Sequence, residues 1–555
     1  MSSPVEALSL PLTSLILGSA LHISSLKLQL DGHGWRLLGL WNLTLALLFF
    51  LLIRSRDILT TTRLVLTFAS AFLLGFFGST SVYRLLFSPL RKFRGPWQGV
   101  LTSFYRLHAA IETDVRLFRK IDSLHKKYGD YVRVGGREIS ILNPSAIPLL
   151  YGAKAQCKRG AWYHHTPYPE EDRQVLLITD PSIHSWRRRI LDRGFSTLAD
   201  YEPRVQEVIN DLIQALKART GSSVNLTDWI SFFAFDVMGR VAYNHEFGMI
   251  KDGKGTVSVE GKATSLEALR ATMKMYGIFG PVPWFFKMIG QIGLVGEMAI
   301  FFQWCHETMR MKQKSFDPVN DTPTDISSWI IKSQSDASDI NKRQTQRSME
   351  NDSILLILAG SDTAASAITN AIFYLTRDPD RLAKLRTQIE ALPDRSLKSL
   401  ATVRYLDHVI NETLRLKPPA IEGLVRETPA GGITIPNDGT FIPGGTTVSI
   451  PPWTLHRDTR FWGEDAEEFR PERFEGVDLT NETLPFIPFT RGSYTCPGKQ
   501  LAYMEMRGVI SAVVMDFDLT LSEGQGEKEF DEGCKDSFTL ENPPLNVVLK
   551  KRGTE

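Results

Sequence analysis

The residue with the most chemistry to offer is Cys496, within Phe489-Thr-Arg-Gly492-Ser-Tyr-Thr-Cys496-Pro-Gly498. A lone cysteine is most often a small buried hydrophobe. This one stands in a glycine- and proline-rich loop just before a helical run, Leu501 to Val514. Backbone N–H groups at a helix start stabilise a thiolate and lower its pKa. Such a thiolate can be a nucleophile or a metal ligand. The nucleophile reading needs an adjacent base, and the loop has neither a neighbouring histidine nor a GxSxG-like or papain-like context.

Other reactive groups lie far upstream. Ala359-Gly-Ser-Asp362-Thr363-Ala364 follows the apolar run Ile354–Leu358 in a long helical stretch. An acid–alcohol pair flanked by apolar residues on all sides can relay protons beside a buried metal. His184 and Arg188, in His184-Ser-Trp-Arg-Arg188, are four apart and share one helix face. Taken alone, they read as a solvated basic patch. Glu412 and Arg415 are three apart in a helix closed by Pro418-Pro419, a spacing at which surface pairs are common and weak.

The elements that position these groups are mainly helical, with a smaller β-like region at Ile433–Ile450, rich in Gly, Pro, Thr and Val. The chain has 555 residues, which on length alone suggests three or four domains. Charged residues make up 23% and the formal net charge is +2, so neither a disordered chain nor a nucleic-acid-binding field is indicated. Four cysteines with no CxxC spacing exclude a disulfide framework and fit a reducing compartment.

Residues 1–90 differ from the rest. They hold three uncharged apolar stretches, Leu8–Leu26, Leu37–Ile53 and Leu64–Val82, each close to the length needed to span a bilayer. Arg54, Arg56 and Arg63 lie between the second and third, and Arg84, Arg91, Lys92 and Arg94 follow the third. With a cytosolic body this distribution opposes the positive-inside preference, so one to three spans are expected and their orientation stays open. The division expected is a membrane anchor region at 1–90 and one large domain at 91–555, unusually big for a single core. Two polar stretches, Lys251–Ser265 and Asp317–Glu350, read as mobile loops.

The F-x-x-G-x-x-x-C-x-G pattern from Phe489 to Gly498 resembles the haem-binding loop of the cytochrome P-450 family, the haem-thiolate monooxygenases. Four further segments occur in that family's order, so the resemblance covers roughly Pro89–Lys550. It implies haem b with Cys496 as the axial metal ligand. Phe489 and Gly498 would then be cofactor-binding residues, as would His184, Arg188 and Arg426 (in Glu422-Gly-Leu-Val-Arg426) toward the haem propionates. Asp362 and Thr363 take the family's oxygen-activating position as catalytic residues. Glu412, Arg415 and Arg473 resemble its buried Glu–Arg–Arg network, a structural role. The chain departs from the pattern twice. Ala364 stands where a second hydroxyl is common, and Tyr494 stands where Arg or His usually holds a propionate, leaving Arg491 as the expected compensating charge.

What the resemblance implies is insertion of one oxygen atom from dioxygen into a hydrophobic small molecule. Electrons would come from an NADPH-dependent flavoprotein reductase on the same membrane, docked on a basic surface at Lys499, Arg491 and Arg507. Segments such as SPLRKFRGPW and CPGKQLAYMEMR are most similar to fungal microsomal members. That similarity implies the endoplasmic reticulum membrane, a cytosolic catalytic domain and terpenoid, alkaloid or polyketide substrates. Pocket residues are expected near Trp162–Tyr168, Trp229–Phe235, Ile354–Leu358 and Ile421–Val425. Two rival readings are a haem-thiolate isomerase or dehydratase needing no reductase, and a non-catalytic haem- or lipid-binding protein.

Overall fold

The computed structural model describes residues 4–26, 28, 33–164, 168–291, 296–336 and 343–553. His165, Thr166 and Pro167 of the expected Trp162–Tyr168 pocket segment lie outside these. The helices that bear on the site are α1 (Pro4–Ser25), α2 (Gly34–Ile53), α3 (Ile58–Val82), α4 (Phe104–Glu112), α5 (Pro181–Ser196), α6 (Leu226–Met238), α7 (Leu266–Phe279), α8 (Pro283–Gln291), α9 (Gln346–Arg377), α10 (Arg404–Leu416) and α11 (Lys499–Asp516). The fold is mostly helical with small sheets, as the sequence pattern predicts.

Helix α9 is the axis of the body. Thr345 caps its N-terminus by accepting the Ser348 N–H, and its 32 residues extend about 48 Å at 1.5 Å per residue. It is long and apolar enough to cross a membrane, yet 61% of its apolar window is buried inside the protein. All-round apolarity marks a core helix here. Helices α6, α10 and α11 pack around it in one hydrophobic core. Gly360 of α9 permits the contact with α6, since a Cβ there would lie 2.5 Å from Met238 Sδ.

The main sheet is β1 (Tyr131–Gly135), β2 (Glu138–Ile141), β3 (Arg426–Glu427) and β4 (Thr447–Ser449), in the order β1-β2-β4-β3. The β2–β4 pair is parallel and the others antiparallel. A separate hairpin, β5 (Lys535–Ser537) and β6 (Thr539–Glu541), turns at Phe538, whose φ is +75°.

The apolar N-terminal stretches form α1, α2 and α3. Among the described residues α2 and the continuation of α3 to Phe87 are long and apolar enough to span a membrane, with 0% and 11% of their windows buried. Helix α1 packs along α3, where Gly18 and Gly75 let the backbones touch. A Cβ at either would lie 2.1 Å from a carbonyl oxygen of the other helix. Ser19 Oγ donates to Gly75 O at 3.1 Å, and His22 Nδ1 pairs with Ser79 Oγ at 2.8 Å. Arg63, expected in a loop, lies inside α3. Asp57 caps that helix by accepting the Thr60 N–H at 2.9 Å, so the helix starts six residues before the apolar run.

The Lys251–Ser265 stretch is also ordered. Thr256–Val259 pairs with Lys262–Ser265 through a two-residue turn, Glu260-Gly261, with φ of +49° and +77°. Polar composition hid an alternating strand pattern. Within Asp317–Glu350, residues Ile326–Asp336 are helical and α9 begins at Gln346.

Candidate active site

The Cys496 loop is held by its own backbone and by a charge network behind it. Cys496 N donates to Phe489 O at 3.0 Å, Thr495 N to Gly492 O at 3.0 Å, and Thr490 Oγ1 to Tyr494 O at 2.8 Å. Gly492 needs to be glycine: its φ is +62°, and a Cβ would lie 2.3 Å from the Gly152 carbonyl. Glu412 and Arg415 are fully buried and bidentate at 2.7 and 2.8 Å, and Arg473 Nε reaches Glu412 at 3.4 Å. Arg415 also donates to His456 O at 2.6 Å, and Ile487 N donates to His456 Nε2 at 3.0 Å. The network thus reaches the chain two residues before Phe489. Burial, with Arg415 and Arg457 nearby, pushes His456 down to about 3, so its ring is neutral and can accept.

Beyond the loop lies a cavity of about 480 Å³. Its lining brings together Cys496, Gly498, Phe489, His184, Arg188 and Thr363, which come from three distant parts of the sequence. The Cys496 thiol is free and faces this cavity. Burial raises its pKa, against the pull of the Gly498 N–H, Arg188 and Lys499. Gly498 precedes α11 and leaves the space beside the sulfur bare; a Cβ would sit 4.0 Å from Cys496 Sγ. Thr363 faces the cavity and donates to Ala359 O at 2.8 Å. Asp362, the next residue on α9, points elsewhere. It lines a small neighbouring cavity with Arg270 and Glu541, where burial raises its carboxyl to about 6.

The basic end of the cavity is denser than the sequence suggested. Arg188 donates to Thr495 O at 2.5 Å and pairs with Asp192 at 2.7 Å. Arg426 lies beneath, 1% exposed, donating to Tyr163 Oη at 3.0 Å. The Tyr494 ring is packed among Arg159 (4.2 Å to its centroid), Arg426 (4.8 Å) and the His184 ring (4.5 Å). Arg491, the expected compensating charge, turns away to the carbonyls of Leu484 and Phe486, because the loop reverses at Gly492. The additional cation is Arg159, in Lys158-Arg-Gly-Ala-Trp162, which the sequence reading did not single out. Its only signal was a lone arginine before an aromatic pair. Burial and the surrounding arginines hold His184 down at about 3, so it is neutral at ordinary pH.

These residues fit a flat anionic metal cofactor. Among the described residues no group of three or more His, Cys, Asp or Glu could hold a metal, so an ion bound by Cys496 would take its other ligands from outside these side chains, as the ring nitrogens of haem supply. Arg426 Nε and Nη2 and Arg159 Nε are buried with no hydrogen-bond partner in the protein, and buried guanidinium nitrogens call for anionic acceptors.

Of the expected pocket segments, Trp162, His164, Leu355, Leu356 and the whole Ile421–Val425 run line the cavity. Trp229–Phe235 does not; it lies on α6 in the hydrophobic core. Glu505 of α11 also lines the cavity; its carboxyl is buried, with Oε2 unpartnered, and burial pushes its pKa far up.

A sequence model of the family described as Cytochrome P450 matches residues 100–549. The chain is 37% identical over 487 residues to the cytochrome P450 monooxygenase orf5 of Eupenicillium brefeldianum, covering 86% of this chain and 95% of that protein. It is 33% identical over 505 residues to the cytochrome P450 monooxygenase FCK2 of Fusarium pseudograminearum, covering 88% of each. It is 31% identical over 520 residues to tryprostatin B 6-hydroxylase of Aspergillus fumigatus, covering 90% of this chain and 87% of that enzyme.

Proposed function

The chain belongs to the cytochrome P450 family of haem-thiolate monooxygenases, and from that premise we propose that it is a membrane-bound enzyme of fungal secondary metabolism in which Cys496 is the axial ligand. The observation that carries the assignment is the meeting around one cavity of a free cysteine sulfur, a helix threonine and Arg159, whose buried Nε has no hydrogen-bond partner. Bound there, haem supplies the activation of dioxygen and the insertion of one oxygen atom into substrate.

The protein's part is to hold, shield and deliver protons. Arg159, Arg188, Arg426 and neutral His184 hold the cofactor's carboxylates, and the Tyr494 ring keeps the guanidinium groups apart. Asp362, near 6, exchanges protons at neutral pH from the side of Arg270, and Thr363 presents a hydroxyl on the cavity side of the same helix. The Glu412–Arg415–Arg473 network keeps the cysteine loop fixed.

Three features support the finer reading. The cavity lining is mainly apolar, with Trp284 and Phe286 of α8 on its wall, which suits a hydrophobic substrate. Helix α8 packs on the start of α2, since a Cβ at Gly34 would meet Met288 Sδ at 2.5 Å; this puts one wall of the cavity beside a helix fit to span lipid. The likeness to fungal members of the family supports endoplasmic reticulum anchoring with a cytosolic body. Similarity to tryprostatin B 6-hydroxylase supports a terpenoid, alkaloid or polyketide substrate over a simple lipid. An NADPH-dependent flavoprotein reductase is the proposed electron source. Its docking surface rests on Lys499 and Arg491, because Arg507 is already paired with Asp407 at 2.7 and 2.9 Å.

The test is turnover in membranes carrying the chain and such a reductase, supplied with candidate metabolites under isotopically heavy dioxygen. The expected product gains one heavy oxygen atom and vanishes without NADPH. Product formed without NADPH and dioxygen would instead establish the isomerase or dehydratase reading.

A further inference from the structure

The wall of the cavity formed by the Ile421–Val425 loop and the β5–β6 hairpin carries acid that the proposed mechanism does not use. Gly423 bends that loop with φ of +77°; a Cβ there would lie 2.1 Å from Ile450 O, so the segment is pressed against β4's end and Glu422 faces the cavity. The hairpin is pinned from the other side by Asp536 N donating to Val115 O at 2.7 Å. This sets the Asp536 carboxyl, 8% exposed, against that of Glu422 and along the same cavity. The two carboxyls line the same cavity, close enough that each bears on the other's ionisation. Two ionised carboxyls so placed repel, and a proton shared between them relieves that repulsion.

Among the described residues one cation faces them. Arg106 of α4 pairs with Glu138 at 2.7 Å and reaches Glu422 at 3.5 Å. Its charge is matched by Glu138 alone, so the Glu422–Asp536 pair is left with a net negative charge even when it holds one proton. Glu422 Oε1 is buried and has no hydrogen-bond partner. The neighbouring wall is aromatic, with Tyr276 and Phe538. Burial raises both carboxyls, Asp536 further because of Glu422's charge. An acid pair raised in this way is relieved by a cation brought into the cavity.

We propose that Glu422 and Asp536 form a specificity-determining pair that selects substrates carrying a basic nitrogen, binding its ammonium group at the end of the cavity formed by the loop and hairpin. The proposal rests on the reading of this cavity as the monooxygenase substrate site, and it narrows that site's substrates to hydrophobic amines. On binding, the shared proton leaves to solvent, an ammonium N–H donates to one carboxylate, and the positive charge stands against both. No electron transfer is involved.

The test uses the full-length holoenzyme in lipid nanodiscs. Two probes of one shape are titrated by calorimetry: N,N-dimethyl-4-phenylbutylamine and its carbon isostere 5-methyl-1-phenylhexane. Wild type is expected to bind the amine about tenfold or more tightly than the isostere, the scale of a buried charge pair. Glu422→Gln and Asp536→Asn should each bring that ratio to within about threefold while leaving the isostere's affinity unchanged. Should Asp536→Asn fail to fold, Glu422→Gln carries the same comparison. Equal binding of the two probes by wild type overturns the proposal. So does a preference that survives Glu422→Gln, or an amine-induced spectrum showing nitrogen bound to the iron. The reduced, carbon-monoxide-bound spectrum of the same preparation reports on the haem-thiolate reading separately.

Discussion

At one end of the cavity, Arg159, Arg188 and Arg426 crowd around Tyr494 and a neutral histidine, with Asp192 paired to Arg188 at 2.7 Å. Along the wall made by the loop and hairpin, Glu422, Asp536 and Glu138 face a single arginine. Each cluster stands at the cavity and neither is balanced. A folded protein pairs its buried charges when their task is structural, as Glu412–Arg415 and Arg187–Asp352 do here at 2.7 and 2.5 Å. On the proposed reading, imbalance of opposite sign in one cavity marks two places where charge arrives from outside the chain: carboxylates of the cofactor at the basic end, and a cation at the acidic one.

The comparison breaks most visibly at Arg426. Arg426→Leu removes a guanidinium with two orphan nitrogens and should weaken haem retention by about 3–5 kcal/mol, the scale of breaking a buried charge pair. Haem-to-protein ratio after purification is the readout, and a ratio equal to wild type would separate Arg426 from cofactor binding. Asp362 sharpens the contrast, because it is an acid beside a cation, yet burial still governs it. Its carboxyl ionises near pH 3.8 when unfolded and near 6 in the fold, so the fold favours the protonated form. Below the lower value both states are protonated and nothing is lost. Stability falls as pH rises between the two and stays reduced above 6, by about 3 kcal/mol. Asp362→Asn should therefore raise the thermal midpoint at pH 7.5 and leave it unchanged near pH 3, measured as melts across that range. An unchanged midpoint at both pH values would contradict the burial of this carboxyl.

Smaller effects separate Arg159 from Arg491. Arg159→Leu should speed haem loss to apomyoglobin by about tenfold, the worth of one charge-assisted hydrogen bond, whereas Arg491→Leu should change it less than about twofold. The reverse order would restore Arg491 as the charge that compensates for Tyr494.

The parts of this site legible in the sequence were those confined to one short segment. The spacing of Gly492, Cys496 and Gly498 sets the loop, Thr363 sits in a single turn of α9, and Glu412 and Arg415 share a helix face. What was not legible depends on chain that is distant in sequence. Arg159 matters only because a loop carries it over the Tyr494 ring, and Glu422 meets Asp536 only through the terminal hairpin. Arg491 shows the converse. It is near the cysteine in sequence, but a positive φ at Gly492 points it away. The membrane region was read by hydropathy, which found the apolar stretches but not the Asp57 cap that draws Arg63 into α3.

The central claim, that Cys496 ligates haem through its thiolate, is tested most directly by the absorbance of the reduced, carbon-monoxide-bound protein, with Cys496→Ala beside wild type. A strongly red-shifted Soret band in wild type, absent from Cys496→Ala, is the predicted result. A wild type without that band, or a Cys496→Ala protein that keeps it, would contradict the assignment.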